Sequence, residues 1–346
     1  MKQVDIESRR RGILAAIVES YIGTATPVGS RVISQRLRGG LSPATIRNVM
    51  VDLEEMGLIM QPHTSAGRVP TDKGYRTYVD SLLEPIRLTK DEESLILKLV
   101  DQSGQDLDSI IQGASRAISV ITNVAGVALT PRLKKSVFEH IEIIPIDSSR
   151  FLAVLVTSSG LVKNAMLDSG EEMAGSELAR VAEFLNQELN GMSLGDIKHY
   201  LARRLLQERD SFYAFLKKAI DIVSLPNLSR MEDHLYCEGL TCMMANPEFK
   251  DMSKARLLLR LLEEKKDLFN LLYEDMESEG IKVHIGRENA IKDIQDCSLI
   301  TCNYKVNGVS IGAIAAVGPT RMEYGKVMAT VRYMSEVLGK VLERLG

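Results

Sequence analysis

The sequence predicts an α+β protein of several domains, with a winged helix-turn-helix at its N-terminus. Three observations carry that expectation. Over the first 83 residues, apolar residues recur at helical spacing, with a single strand-like, turn-rich interruption. Farther on, hairpin signals flank a long helical block, which reads as one antiparallel α+β domain carrying an insertion. Finally, 346 residues are too many for one hydrophobic core.

The elements follow in order. Ile13, Leu14, Ile17, Val18 and Tyr21 form the apolar stripe of a first helix, with Asp5 or Ser8 as its cap. Pro27 opens a second, short helix that turns Val32, Ile33 and Leu37 inward and stops at Gly39-Gly40. Ser42-Pro43 is a start signal, a hydroxyl at the N-cap and proline at the first helical position. The stripe Ile46, Val49, Met50 and Leu53 follows, and Gly57 ends that helix. Leu58 to Gln61 reads as a strand, then comes a turn-rich stretch to Gly67 and Arg68-Val69-Pro70. Thr71 caps a fourth helix bearing Tyr75, Tyr78, Val79 and Leu82.

Pro85 marks a linker. Two helices follow, the second with Leu107, Ile110, Ile111, Ala114, Ile118 and Ile121 on one face. Phe151–Thr157 and Leu161–Leu167 are strands joined by Ser158-Ser159-Gly160. From Gly170 to Gly280 the pattern is mainly helical, with His234–Leu240 a candidate strand. Asn307-Gly308, between Leu299–Lys305 and Val309–Val317, is the strongest short hairpin signal of the chain. A long helix from Thr320 to Leu345 closes it. The expected boundaries are a winged-helix domain at 1–85, a linker helix at 86–105, an α+β domain at 106–170 and 280–346, and an insertion at 171–279.

Composition excludes several classes. No stretch is long and apolar enough to span a membrane, and the polar, arginine-bearing start offers no signal peptide, so the expected location is the cytoplasm. The four cysteines, Cys237, Cys242, Cys297 and Cys302, are too sparse for a disulfide framework. Five residues along a strand put two thiols on opposite faces, so buried thiols are expected there and no metal site. The five histidines are scattered, and no HExxH, P-loop or GxSxG occurs, so neither an enzyme nor a cofactor is expected. Asp91-Glu92-Glu93 and Glu263-Glu264 read as solvated helix faces. Charge is uneven. Through Leu83 there are eleven Lys/Arg against eight Asp/Glu, a net of +3, which leaves −6 for the remainder of a chain of net charge −3. A mildly basic head on an acidic body fits a localised nucleic-acid contact.

The helix opened by Ser42 is the second of a helix-turn-helix, the one whose N-terminal residues meet base edges. With its stripe turned inward, Ala44, Thr45, Arg47, Asn48, Val51 and Asp52 face outward. Arginine pairs bidentately with guanine and asparagine with adenine, while Thr45 suits a base or phosphate and Ala44 a thymine methyl. His63-Thr64-Ser65-Ala66-Gly67-Arg68 places small donors, a glycine and a cation at a hairpin tip that suits a phosphate backbone or a minor groove. The candidate DNA-binding set is therefore Ser42, Ala44, Thr45, Arg47, Asn48, His63, Thr64, Ser65 and Arg68. Arg9, Arg10 and Arg11 read as a solvated face with phosphate contacts as the alternative.

Three stretches carry a resemblance. They are Ser42-Pro43-Ala44-Thr45-Ile46-Arg47-Asn48 with Asp52-Leu53-Glu54-Glu55-Met56-Gly57-Leu58; the run from Gln61 through Arg68 to Tyr75-Arg76; and Gly318-Pro319-Thr320-Arg321-Met322-Glu323-Tyr324. Together they resemble the heat-inducible transcription repressor family HrcA. The resemblance implies a dimer that binds an inverted-repeat operator of chaperone operons. It also implies a GAF-like second domain, an inserted segment making much of the dimer contact, and activity sustained by the GroEL chaperonin. Leu257, Leu258, Leu261, Leu262, Leu268, Leu271 and Leu272 are candidates for that contact or for the inserted domain's own core. Two other readings stand beside it: a repressor controlled by a small ligand in the GAF-like domain, and a winged helix serving as a protein-interaction module.

Overall fold

The computed structural model describes residues 2–37, 40–64, 66–104, 106–131, 136–160, 162–168, 173–207, 234–250, 256, 260 and 265–345. The chain divides into two compact units. One comprises Met1–Ala128, Tyr236–Cys302 and Ile314–Met334; the other comprises Leu129–Leu235, Asn303–Ala313 and Ser335–Gly346.

The first unit begins with α1 (Lys2–Thr24), α2 (Ser30–Arg36) and α3 (Pro43–Glu55). A two-stranded ribbon of β1 (Ile59–Met60) and β2 (Val69–Pro70) follows, then α4 (Asp72–Ser81). This is the winged-helix order. Ile13, Leu14, Ile17 and Val18 of α1 are buried against α3 and α4, whose Ile46, Met50, Leu53, Tyr75 and Tyr78 complete the core. Fully burying such a side chain is worth about 1.5–3 kcal/mol, so this shared core, and not helix propensity, holds the short elements together.

Three local expectations change. α1 starts at Lys2, so Asp5 and Ser8 lie inside it and do not cap it; no glycine or proline before Gly12 interrupts the helix. α2 starts only at Ser30, behind Gly29. The cause is Val28, which forms a β-bridge with Arg68, each amide donating to the other's carbonyl at 2.8 and 2.9 Å. Of α2, Ile33 alone is fully buried, and Val32 is 50% exposed rather than inward-facing. Seven residues make two turns, and so short a helix offers the core a single row.

Next come α5 (Lys90–Asp101) and α6 (Leu107–Thr122), packed on one another, with Ile110, Ile111, Ala114, Ile118 and Ile121 buried. Glu92, expected on a solvated face, closes a capping box with Thr89 and pairs with Lys326 at 2.9 Å. The remaining strands are β3 (Ala125–Leu129), β4 (Phe138–Pro145), β5 (Arg150–Thr157), β6 (Val162–Asp168), β7 (Leu235–Glu238), β8 (Ile281–Ile285), β9 (Cys297–Val306) and β10 (Val309–Pro319). Between them lie α7 (Gly175–Leu189), α8 (Leu194–Gln207), α9 (Leu240–Met244) and α10 (Lys266–Met276), and α11 (Tyr324–Leu345) closes the chain.

The hairpins at 151–167 and 299–317, expected in one antiparallel α+β domain, lie in two separate antiparallel sheets. One sheet runs β7-β3-β10-β9-β8; the other is the meander β4-β5-β6. Period-two patterning identifies strands without naming their partners, and a meander with short turns satisfies its own ladder. Asn307 and Gly308 both take positive φ, 48° and 79°, as a two-residue hairpin loop between β9 and β10 requires.

Within the second unit, α7 covers β4 through Leu178, Val181, Leu185 and Leu189, and the Asn186 amide brackets Ile141, accepting from its N–H at 2.7 Å and donating to its carbonyl at 2.9 Å. Of the leucines considered for dimer contact, Leu257, Leu258, Leu261 and Leu262 lie outside the described residues. Leu268, Leu271 and Leu272 of α10 are buried within the chain itself, so they serve its own core. No helix among the described residues is long and apolar enough to cross a membrane.

Candidate nucleic-acid interface

The start of α3 is set by Ser42, whose Oγ accepts from the Thr45 amide at 3.1 Å while its hydroxyl and that of Thr45 lie 2.9 Å apart. Proline at the next position brings no unsatisfied N–H. The helix then turns Ile46, Met50 and Leu53 into the core, with Val49 half-buried. That geometry leaves Ala44, Arg47, Asn48 and Val51 exposed and Thr45 half-buried.

The chemistry of this face is decided by which groups are already engaged. Asp52 is held by Arg10, whose Nη2 and Nε reach it at 2.7 and 3.2 Å. The bond to Asp52 holds the Arg10 guanidinium above its ordinary pKa, and it neutralises an acid that would repel a phosphate backbone. Arg36 is paired with Glu19, and Arg11 stands 3.4 Å from Glu7. By contrast, the side chains of Arg47 and Asn48 make no hydrogen bond or ion pair among the described residues. Both are free donors on an exposed face.

The wing is built as firmly as the helix. Ile59 pairs with Pro70 and Met60 with Val69, antiparallel. The Gln61 side-chain amide donates to the carbonyls of Thr64 and Ala66, both at 3.0 Å, and so pre-forms the loop. His63 and Thr64 are exposed at its tip; Ser65 lies outside the described residues. Arg68 stands instead at the base of the wing. Its guanidinium donates to Glu54 of α3 at 2.8–2.9 Å, and its backbone pairs with Val28.

The candidate residues thus fall into three groups. Ala44, Thr45, Arg47 and Asn48 share one helix face, His63 and Thr64 share the wing tip, and Ser42 and Arg68 are occupied in holding those two parts in shape. Sequence reasoning gave Glu54 and Gln61 no role, and it put Arg10 on a solvated face or against phosphate, whereas Arg10 is paired with Asp52. Glu54 and Gln61 lie inside the quoted motifs, but their partners depend on tertiary contact that no local period reveals. Outside this interface, no cluster of three or more His, Cys, Asp or Glu among the described residues is arranged to hold a metal ion. Burial drives the Cys237 thiol up to about 12, against the small opposing pull of Lys265.

Comparison with known proteins agrees with this geometry. The sequence profile described as "Winged helix-turn-helix transcription repressor, HrcA DNA-binding" matches residues 5–81, and that of the "HrcA protein C terminal domain" matches residues 108–328. The chain is 38% identical over 340 residues to the heat-inducible transcription repressor HrcA of Pelotomaculum thermopropionicum, covering 98% of each. It is 39% identical over 339 residues to that of Geobacter sulfurreducens, covering 98% of this chain and 99% of the other. Among solved structures, a hypothetical protein determined at 2.2 Å resolution superposes with a TM-score of 0.66 at 22% identity, over 98% of this chain and 99% of that one. That likeness speaks for the fold. An exposed recognition-helix face, a preformed wing and full-length identity of this order lead to one conclusion: the chain belongs to the HrcA family of heat-inducible transcription repressors and carries that family's winged-helix DNA-binding domain.

Proposed function

We propose that this protein binds an inverted-repeat operator upstream of heat-shock chaperone operons as a homodimer and represses them, with its activity modulated by the GroEL chaperonin and by heat. The observation that carries the reading is the pair Arg47 and Asn48, both exposed on the recognition helix and both without a side-chain partner among the described residues. Their donor patterns suit guanine and adenine in the major groove. Ala44 and Thr45 extend that contact, His63, Thr64 and Ser65 meet the backbone through the wing, and Ser42 and Arg68 border the phosphates at the two ends of the surface.

A single winged helix with a few phosphate contacts binds weakly at physiological salt. Two heads reading related half-sites add base contacts and fix their spacing. The domain plan that suits this task is a DNA-binding domain at 1–85, a linker helix at 86–105, a GAF-like domain at 106–170 and 280–346, and an inserted dimerisation domain at 171–279. The cytoplasm is the corresponding location.

The test is a fluorescence-anisotropy titration against an inverted-repeat chaperone operator and a scrambled duplex of equal length, with and without chaperonin. The reading expects preference for the operator and a further gain with chaperonin. Equal affinity for both duplexes under every condition contradicts it.

A further inference from the structure

The winged helix belongs to the same compact unit as β8 and the segments around Glu248 and Arg321, and a small set of polar ties joins them. Arg76 of α4 donates through Nε to Glu288 at 3.0 Å, and its Nη2 reaches both Glu288 and the carbonyl of Val283 in β8. Asp72, in the first turn of α4, accepts from the backbone amide of Arg287 at 3.0 Å. On the other side, Arg321 is held by Glu248 and donates through Nη1 to the carbonyl of Ile22 in α1. Between these ties the rings of Tyr75 and Tyr324 pack with centroids 5.8 Å apart. Both rings are buried, at 2% and 1% exposure.

Each arginine therefore binds a carboxylate and a backbone carbonyl together, a directional arrangement stronger than an ordinary surface pair. Gly286 makes the approach possible. It sits at φ +54°, and a Cβ there would run into the Asp72 carboxylate. None of these residues lies on the exposed face of α3 or at the wing tip. Ala44, Arg47 and Asn48 stay open while the head is tied.

We propose that Arg76 and Arg321 are positioning residues for DNA reading: they latch the winged helix to the β8–β10 layer, so that the core sets the angle at which the recognition helix meets DNA. The inference rests on the reading of two heads on an inverted repeat. A head swinging on the stretch at 83–89, exposed at 84–87 and 89, must lose that freedom when both half-sites are engaged, whereas a latched head has already lost it. A single half-site makes no such demand.

The experiment uses full-length protein and the variants Arg76→Met with Arg321→Met, and separately Gly286→Ala, which keeps both arginines but displaces Asp72. Each is titrated against the full inverted repeat, against a duplex with one half-site and against a random duplex. Trypsin cleavage after the exposed Arg87 reports independently on release of the head. The latch predicts that both variants lose about tenfold or more on the inverted repeat and stay within about twofold on the half-site, with faster cleavage at Arg87. Equal losses on both duplexes, or none on either, overturn it, because the residues then serve only the fold or nothing. If wild type itself shows no preference for the inverted repeat, the DNA reading has failed; unchanged cleavage at Arg87 would then overturn the latch on its own terms.

Discussion

Arg68 donates to Glu54 at 2.8–2.9 Å and thereby binds the wing to the recognition helix. In the proposed function both elements meet DNA, so the loss of this contact should be felt in binding more than in folding.

The pair is partly exposed, 19% for Arg68 and 34% for Glu54, and such pairs are worth about 0–1 kcal/mol of stability. Glu54→Gln is accordingly expected to leave the melting temperature nearly unchanged while weakening operator affinity by about 1 kcal/mol, roughly fivefold. Calorimetry beside an anisotropy titration checks this. A large drop in stability with intact binding would show that the pair serves the core instead.

Ser42 is a cap before it is anything else. Removing a hydroxyl N-cap costs about 1 kcal/mol, so Ser42→Ala should lower the unfolding free energy by about that amount in urea titration. Ser42→Asp, which caps equally well, should restore stability but weaken DNA binding by adding negative charge beside the phosphates. Restored stability with undiminished affinity would place Ser42 away from the backbone.

Asp275 is 8% exposed and receives His284 at 2.9 Å, Thr301 at 2.6 Å and Lys282 at 3.3 Å. Burial alone would push its carboxyl up, but the bonds from His284 and Thr301 outweigh that and hold it below its ordinary value of 3.8. A depressed folded-state pKa means the stabilisation is present above 3.8 and is lost as pH falls through the lower value. Wild type should therefore lose stability more steeply below about pH 4 than Asp275→Asn does. Glu288 acts in the same sense. Burial raises its carboxyl, and Arg76 together with the Ile285 amide brings it below 4.5. Parallel acid limbs for wild type and Asp275→Asn would remove Asp275 from the account.

Much of the DNA-binding head was legible in the sequence because its signals are local. The Ser42-Pro43 start, the Ile46/Met50/Leu53 row and the Thr71 cap each need only a few neighbouring residues, and each appears where it was expected. What the sequence hid depends on chain separation. Val28 is drawn into the wing by Arg68, forty residues on, which displaces the start of α2. The strands at 138–168 keep to their own sheet although their pattern matches that of β9 and β10. On α3, the exposure of Arg47 and Asn48 was readable from helical spacing, but the engagement of Arg10 by Asp52 and of Arg68 by Glu54 was not. Charge in a sequence does not announce whether a partner waits across the fold.

The central claim is that Asn48 and Arg47 read bases, and the most direct test is a base-substitution profile of the operator. Every base pair of one half-site is replaced in turn, and affinities are measured for wild type, Asn48→Ala and Arg47→Ala. Each variant should lose about 1–3 kcal/mol on the intact operator and become indifferent to the identity of one particular base pair, with the rest of its profile unchanged. A uniform loss across all sequences, with wild-type discrimination intact at every position, would make both side chains backbone contacts and contradict the account.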